Sequence, residues 1–180
     1  MKNLVSAKDL RQRIAGSATS GIEKSPGVYR WWFVNKDATQ SLLAKIAPAA
    51  PERIQRRDIA GEEYLALYFG IAKNLSQRLA WHIAQQHTQS TVSHGFLSTL
   101  RQTLSALLEI DMTASAEAVN NFIDTNCFVE YENTVSREKA LQIEAIELTQ
   151  NYYPLNLQGN KAVEHPTLKA LSQLRKNHKK

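Results

Sequence analysis

The spacing of apolar positions divides the chain into alternating helical and extended stretches. Ser6 as an N-cap, Asp9 three residues on and Gly16 as a stop predict a short helix over residues 7–15. Pro26-Gly27 then breaks the chain, and Val28 to Val34, dense in aromatic and β-branched residues, predicts a strand. Leu42, Leu43 and Ile46 mark a helix over 37–47, stopped by Pro48, and a polar loop with Arg53, Arg56 and Arg57 runs on to Gly61. A second strand is expected from Tyr64 to Phe69, ending at Gly70. Asn74 then caps a helix whose Leu75, Leu79 and Ile83 recur every four residues.

Further on, Leu97, Leu100, Leu104, Leu107 and Leu108 form the apolar face of a helix over about 96–108. A short helix over 116–123 and a third strand over 126–131 follow. Ser136 to Tyr152 is the clearest later helix, stopped by Pro154, and Leu168, Leu171 and Leu174 mark a last amphipathic one. The expectation is a single α/β (α+β) domain over residues 1–180, with a small three-stranded, mainly antiparallel sheet flanked by helices. At 180 residues the chain is long enough for one such core.

Composition narrows the chemistry. The one cysteine, Cys127, excludes an internal disulfide and a Cys-rich zinc site, and its strand context makes it a packing residue. Residues 1–20 lack the apolar core of a signal peptide, and no run approaches the roughly 18 apolar residues of a spanning helix. A cytoplasmic address is therefore expected. Residues 161–180 hold Lys161, Lys169, Arg175, Lys176, Lys179 and Lys180 against Glu164, so the formal charge of +5 resides there. A basic tail on a neutral body suits a polyanion, because each neutralised phosphate releases a counterion. It suits a solvated terminus equally well.

Single residues say little. A strand tyrosine such as Tyr29 or Tyr68 is usually packed, and Arg78 and His82, four apart on one helix face, are ordinarily exposed. Order and spacing change this. Gly27-Val28-Tyr29 is followed by Tyr68-Phe69-Gly70, then Asn74-Leu75, then Arg78 three residues after that leucine, then His82. Glu144 stands twelve residues before Asn156, which lies in Tyr153-Pro154-Leu155-Asn156-Leu157. Over residues 26–160 this ordered set resembles the GIY-YIG nuclease family.

The departures from that pattern are specific. Tyr29 and Tyr68 are 39 residues apart, so 35–63 is an insertion where relatives have a short hairpin. Ile71 stands where some relatives carry lysine, with Lys73 nearby. Glu147 lies three residues beyond Glu144, and only Glu144 has the twelve-residue spacing to Asn156.

The resemblance implies an endonuclease hydrolysing DNA phosphodiester bonds, with Glu144 holding Mg²⁺ or Mn²⁺. One carboxylate suffices, since magnesium is often held by one or two carboxylates plus water and phosphate. Arg78 would fork phosphate oxygens, Tyr29 would take the proton of the attacking water, and Tyr68 would orient water and phosphate. His82 would assist the tyrosines and Asn156 would hold the surroundings of Glu144. Lys73, Arg175 and Lys176 are candidate nucleic-acid contacts. Arg101, on a leucine-rich face, is either a snorkelling side chain or a phosphate contact. His94 and His165 lie in loops with nothing to group them into a metal site. The alternative function is a nucleic-acid-binding module without cleavage.

Overall fold

The aromatic run after Pro26 is β2 (Gly27–Val34), and it is the middle strand of a five-stranded sheet. A computed structural model describes residues 1–16, 21–158 and 165–180. Lys161 and Glu164, counted above in the basic tail, lie outside the described residues. The sheet also contains β1 (Asn3–Ser6), β3 (Arg56–Ile59), β4 (Glu62–Ala72) and β5 (Cys127–Asn133), in the order β1-β5-β2-β4-β3. Every pairing is antiparallel.

The sheet thus has two strands more than the sequence predicts. Both are four-residue edge strands with mixed polar composition, too short for an alternating pattern to register. β3, Arg-Arg-Asp-Ile, buries only Ile59 and falls inside the stretch read as a polar loop. Charged side chains on an edge strand discourage further pairing. The segment 35–63 therefore completes the sheet: β3 pairs with β4, while α2 (Asp37–Ala44) and the following turn send Leu42, Leu43 and Ile46 into the core. Its arginines are engaged internally, Arg53 with the Thr149 carbonyl, Arg56 with Glu63 and Arg57 with Glu130.

Helices cover both faces. One layer buries Tyr29, Trp31 and Phe33 of β2 against α1 (Ala7–Gly16), α3 (Leu75–Ala84), α5 (Thr99–Leu107), α6 (Ala116–Asn126) and α8 (His165–Asn177). The other buries Val28, Trp32 and Val34 beneath α7 (Arg137–Gln150). α4 (Gln89–Ser93) is a single extra turn that periodicity does not register. The expected caps form: Ser6 Oγ accepts from the Asp9 amide at 3.1 Å, and Asn74 Oδ1 accepts from the Gln77 amide at 3.0 Å. Cys127 is buried in the first layer, as its context suggests.

Arg101 corrects the sequence reading. It neither snorkels nor reaches a phosphate, since it is 0% exposed. Its guanidinium donates to the carbonyls of His82 and Ile83 at 3.0 and 3.1 Å, to the Ala116 carbonyl at 3.3 Å and to Asn120 Oδ1 at 2.8 Å. Its Nε donates to Nε2 of His87, whose Nδ1 in turn faces the Met112 carbonyl at 2.8 Å. One buried cation thereby ties α3, α5 and α6 together through donors that only a guanidinium supplies in this geometry. Burial, reinforced by Arg101, lowers the His87 pKa to about 4.

Two outcomes follow. Arg101→Ala strands several buried acceptors and lowers unfolding stability by about 3 kcal/mol or more, read from the urea midpoint. A surface phosphate contact would leave that midpoint unchanged. Stability of the wild type also declines as pH falls from about 6.5 towards 4, because the unfolded chain protonates His87 before the folded one does. A pH series of thermal melts checks it, and His87→Gln flattens that part of the profile.

Candidate active site

The cleft that gathers the predicted residues lies beside Tyr68–Ile71 of β4, beyond the last residue paired with β3. It measures about 330 Å³ and is lined by Tyr29, Tyr68, Arg78, Thr99, Glu144, Asn156 and Arg175, among others. β2 and β4 supply the tyrosines, α3 the Arg78 side chain, α7 Glu144 and α8 Arg175. Both helix layers reach the cleft because the outer edge of β4 has no strand partner here.

Strand alternation alone would not put both tyrosines in it. Tyr64 and Ala66 of β4 belong to the α7 layer, so a strict period of two would send Tyr68 there as well. The pairing of β2 with β4 shifts register between Trp31 and Trp32: Trp31 faces Tyr68, Trp32 faces Ala66, and Leu67 is the extra residue. This bulge turns Tyr68 into the layer that holds Leu67 and Tyr29. The two tyrosine rings then stack at 6.3 Å between centroids.

Two fittings fix that arrangement. Tyr29 pairs directly across from Gly70, and its ring lies over that glycine so closely that a Cβ would stand 2.5 Å from the hydroxyl oxygen. The glycine of Tyr-Phe-Gly is thus needed for close approach, not for a turn. On the free edge of β4, Asn156 Oδ1 accepts from the Phe69 amide at 3.0 Å and its Nδ2 donates to the Phe69 carbonyl at 2.9 Å. The Leu155 amide donates to the carbonyl of the bulge residue Leu67 at 3.0 Å. Asn156, expected to steady the neighbourhood of Glu144, does its positioning on β4.

His82 is buried below the cleft rather than in it. Its Nε2 is 2.9 Å from the Tyr29 hydroxyl and its Nδ1 is 3.1 Å from Ser98 Oγ, the N-cap oxygen of α5. Burial, with Arg78 and Arg101 adding to it, holds its pKa well below the usual histidine range, so the imidazole is neutral. Burial pushes the Tyr29 hydroxyl well above 10, and Tyr68 adds to the shift. Burial raises Tyr68 too, opposed by Arg78 and by hydrogen bonds from Tyr29 and Thr99.

The two glutamates of α7 have opposite surroundings. Glu147 accepts from Arg30 at 2.5 Å, from the Tyr153 hydroxyl at 2.6 Å and from Asn151 at 2.7 Å, which occupies it structurally. Glu144 has no hydrogen bond or ion pair among the described residues, and burial raises its pKa. Among the described residues no group of three or more metal-ligating side chains occurs. A half-buried carboxylate without a partner does fit a hard divalent cation that takes its other ligands from water and phosphate.

Among the cationic candidates, Arg175 lines the cleft. It donates to Gln102, while its Nη1 is buried and has no hydrogen-bond partner among the described residues. Burial lowers its pKa. Lys73 lines a neighbouring cleft instead, and Lys176 is exposed outside both. Thr99 and Ser98 escape the sequence reading; their only signal is that they open α5, and nothing in their spacing links them to Tyr68 or His82.

No curated protein and no solved structure matches the chain. Among the described residues no helix is long and apolar enough to cross a membrane. The GIY-YIG catalytic domain family matches residues 27–177, a span that extends past the expected core into α8 and Arg175. The family is one of nucleases, and this chain belongs to it.

Proposed function

We propose that the protein is a divalent-metal-dependent endonuclease that hydrolyses DNA phosphodiester bonds at the cleft between Tyr29, Tyr68, Arg78, Glu144 and Arg175. The observation that carries the reading is the contrast within that cleft. Two arginines and one unpartnered carboxylate meet two coupled tyrosine hydroxyls in a space of about 330 Å³. A phosphodiester needs cations at its oxygens, a site for a metal and an acceptor for the proton of water. The side chains present match that list.

Glu144 would hold Mg²⁺ or Mn²⁺, which supplies Lewis-acid charge neutralisation at the phosphate when bound. Arg78 and Arg175 bind the phosphate oxygens; the unsatisfied Nη1 of Arg175 is a donor in need of such an acceptor. The tyrosine pair handles the water's proton, each hydroxyl shifting the other's pKa. Tyr29 is the acceptor in this reading, its own hydroxyl proton passing to Nε2 of the neutral His82, 2.9 Å away, as the water's proton arrives. Tyr68, with Arg78 favouring its ionised form, positions the water. Asn156 acts through β4 as a positioning residue.

Supercoiled plasmid with Mg²⁺ or Mn²⁺ is the direct test. The wild type is expected to nick or linearise it. Glu144→Ala should be inactive, and Arg78→Ala or Arg175→Ala slower by about 10²- to 10³-fold. A folded wild type that is inert across both metals, yet retains DNA in a salt-dependent way, would make it a binding module instead.

Glu144→Gln separates site from scaffold. At neutral pH the ionised Glu144 is held in a setting that disfavours its charge, so the glutamine variant should melt at a higher temperature than the wild type while failing to cut. That gain should vanish as pH falls through the raised pKa of Glu144, where the wild-type side chain also becomes neutral. Equal melting temperatures at neutral pH would argue against the strained carboxylate. Gly70→Ala should displace the Tyr29 ring and cost about 10²-fold in rate with little change in DNA affinity.

A further inference from the structure

A second cleft adjoins the first, sharing Ile71 and Arg78 with it, and measures about 380 Å³. Its walls carry three cations, Lys73, Arg78 and Arg137, and no carboxylate. None of the three forms an ion pair among the described residues. Trp81 completes it. Three residues beyond Arg78 on α3, it lies on the same helix face, and its indole sits under the Arg78 guanidinium, 5.3 Å from Cζ to the ring centroid. At 39% exposure it contrasts with Trp31 and Trp32, which are 0% and 3% exposed. An indole this open beside three cations without ion-pair partners among the described residues is the pairing that single-stranded nucleic acid calls for: a π-face for a base and cations for its phosphate.

We propose that this cleft is a subsite for one unpaired nucleotide flanking the cleaved bond, its base stacked on Trp81 and its phosphate held by Lys73 and Arg137. The proposal rests on the nuclease reading for the identity of the ligand as DNA, and it adds a substrate class. Arg78 belongs to both clefts, so it connects the stacked nucleotide to the reacting phosphate. A base held against Trp81 is not in a duplex stack. The favoured DNA therefore has an unpaired position next to the cut: a flap, a gap, an overhang or a frayed end.

Trp81 is its own reporter, because the other two tryptophans are buried. Titrating the wild-type protein with a short single-stranded oligonucleotide, in chelator so that nothing is cut, should give saturable quenching of its emission. A duplex of the same length should quench less. Affinity for a labelled single strand, read by anisotropy, should fall about 5- to 100-fold in Trp81→Ala and be largely retained in Trp81→Phe. In Arg137→Ala the salt dependence of that affinity should be shallower. The emission of Trp31 and Trp32 reports whether the Trp81 variants are folded, and the wild-type titration needs no variant at all.

Oligonucleotides that bind without quenching would overturn the proposal. So would equal losses for single strand and duplex in Trp81→Ala, which would leave phosphate attraction as the whole effect. Absence of binding to either form of DNA would overturn it as well. Plasmid cleavage that persists without quenching sinks the subsite alone; quenching that persists in a protein unable to cleave sinks the catalytic reading alone.

Discussion

The free edge of β4 is the constraint on which the catalytic cleft depends. β3 covers the first part of that edge and then ends, leaving backbone donors and acceptors that must be satisfied. The segment after α7 satisfies them, with the Leu155 amide on Leu67 and both amide atoms of Asn156 on Phe69. A side-chain amide can imitate a peptide group because it presents one donor and one acceptor in a plane. A continuous sixth strand would also have satisfied the edge, but it would have filled the space that the cleft occupies.

The same edge explains the bulge. Leu67 adds a residue to β4, and the carbonyl it presents is the one that Leu155 takes up. From there on Tyr68 and Gly70 share the layer of Tyr29. Gly70 has no Cβ, the Tyr29 ring settles over it, and the Tyr29 hydroxyl reaches His82. His82 is in turn anchored by Ser98, whose oxygen caps α5. The tyrosine pair is thus held from the sheet below, from α3 and from the start of α5, none of which is a mobile loop.

Charge is divided between a closed network and the open cleft. Beneath α7, Glu130 and Glu147 are paired with Arg30 and Arg57 and accept hydrogen bonds from Trp32 and Tyr153, and this network closes on itself. On the cleft side Glu144, Arg78 and the Nη1 of Arg175 are left without carboxylate or hydrogen-bond closure among the described residues. Buried polar atoms are ordinarily satisfied, so the buried Nη1 of Arg175 is a donor in want of an acceptor. The difference between Glu144 and Glu147, three residues apart on one helix, lies in these surroundings.

By itself the sequence determined the order of the principal elements, the caps at Ser6 and Asn74, and the family. Those features are local or depend on spacing along the chain, which is what a sequence records. It also singled out Tyr29, Tyr68, Arg78, Glu144 and Asn156, which line one cleft. It did not reveal β1 and β3, because four polar-rich residues at a sheet edge carry no period, and it misplaced Arg101, whose acceptors are mostly backbone carbonyls brought near only by folding. Thr99 and Trp81 were invisible as site residues for the same reason. Only tertiary structure decided which face Tyr68 takes, which of two glutamates stays unpaired and which arginine stays available. Each of these depends on a bulge or a partner from a distant part of the chain, and one residue of register reverses the outcome.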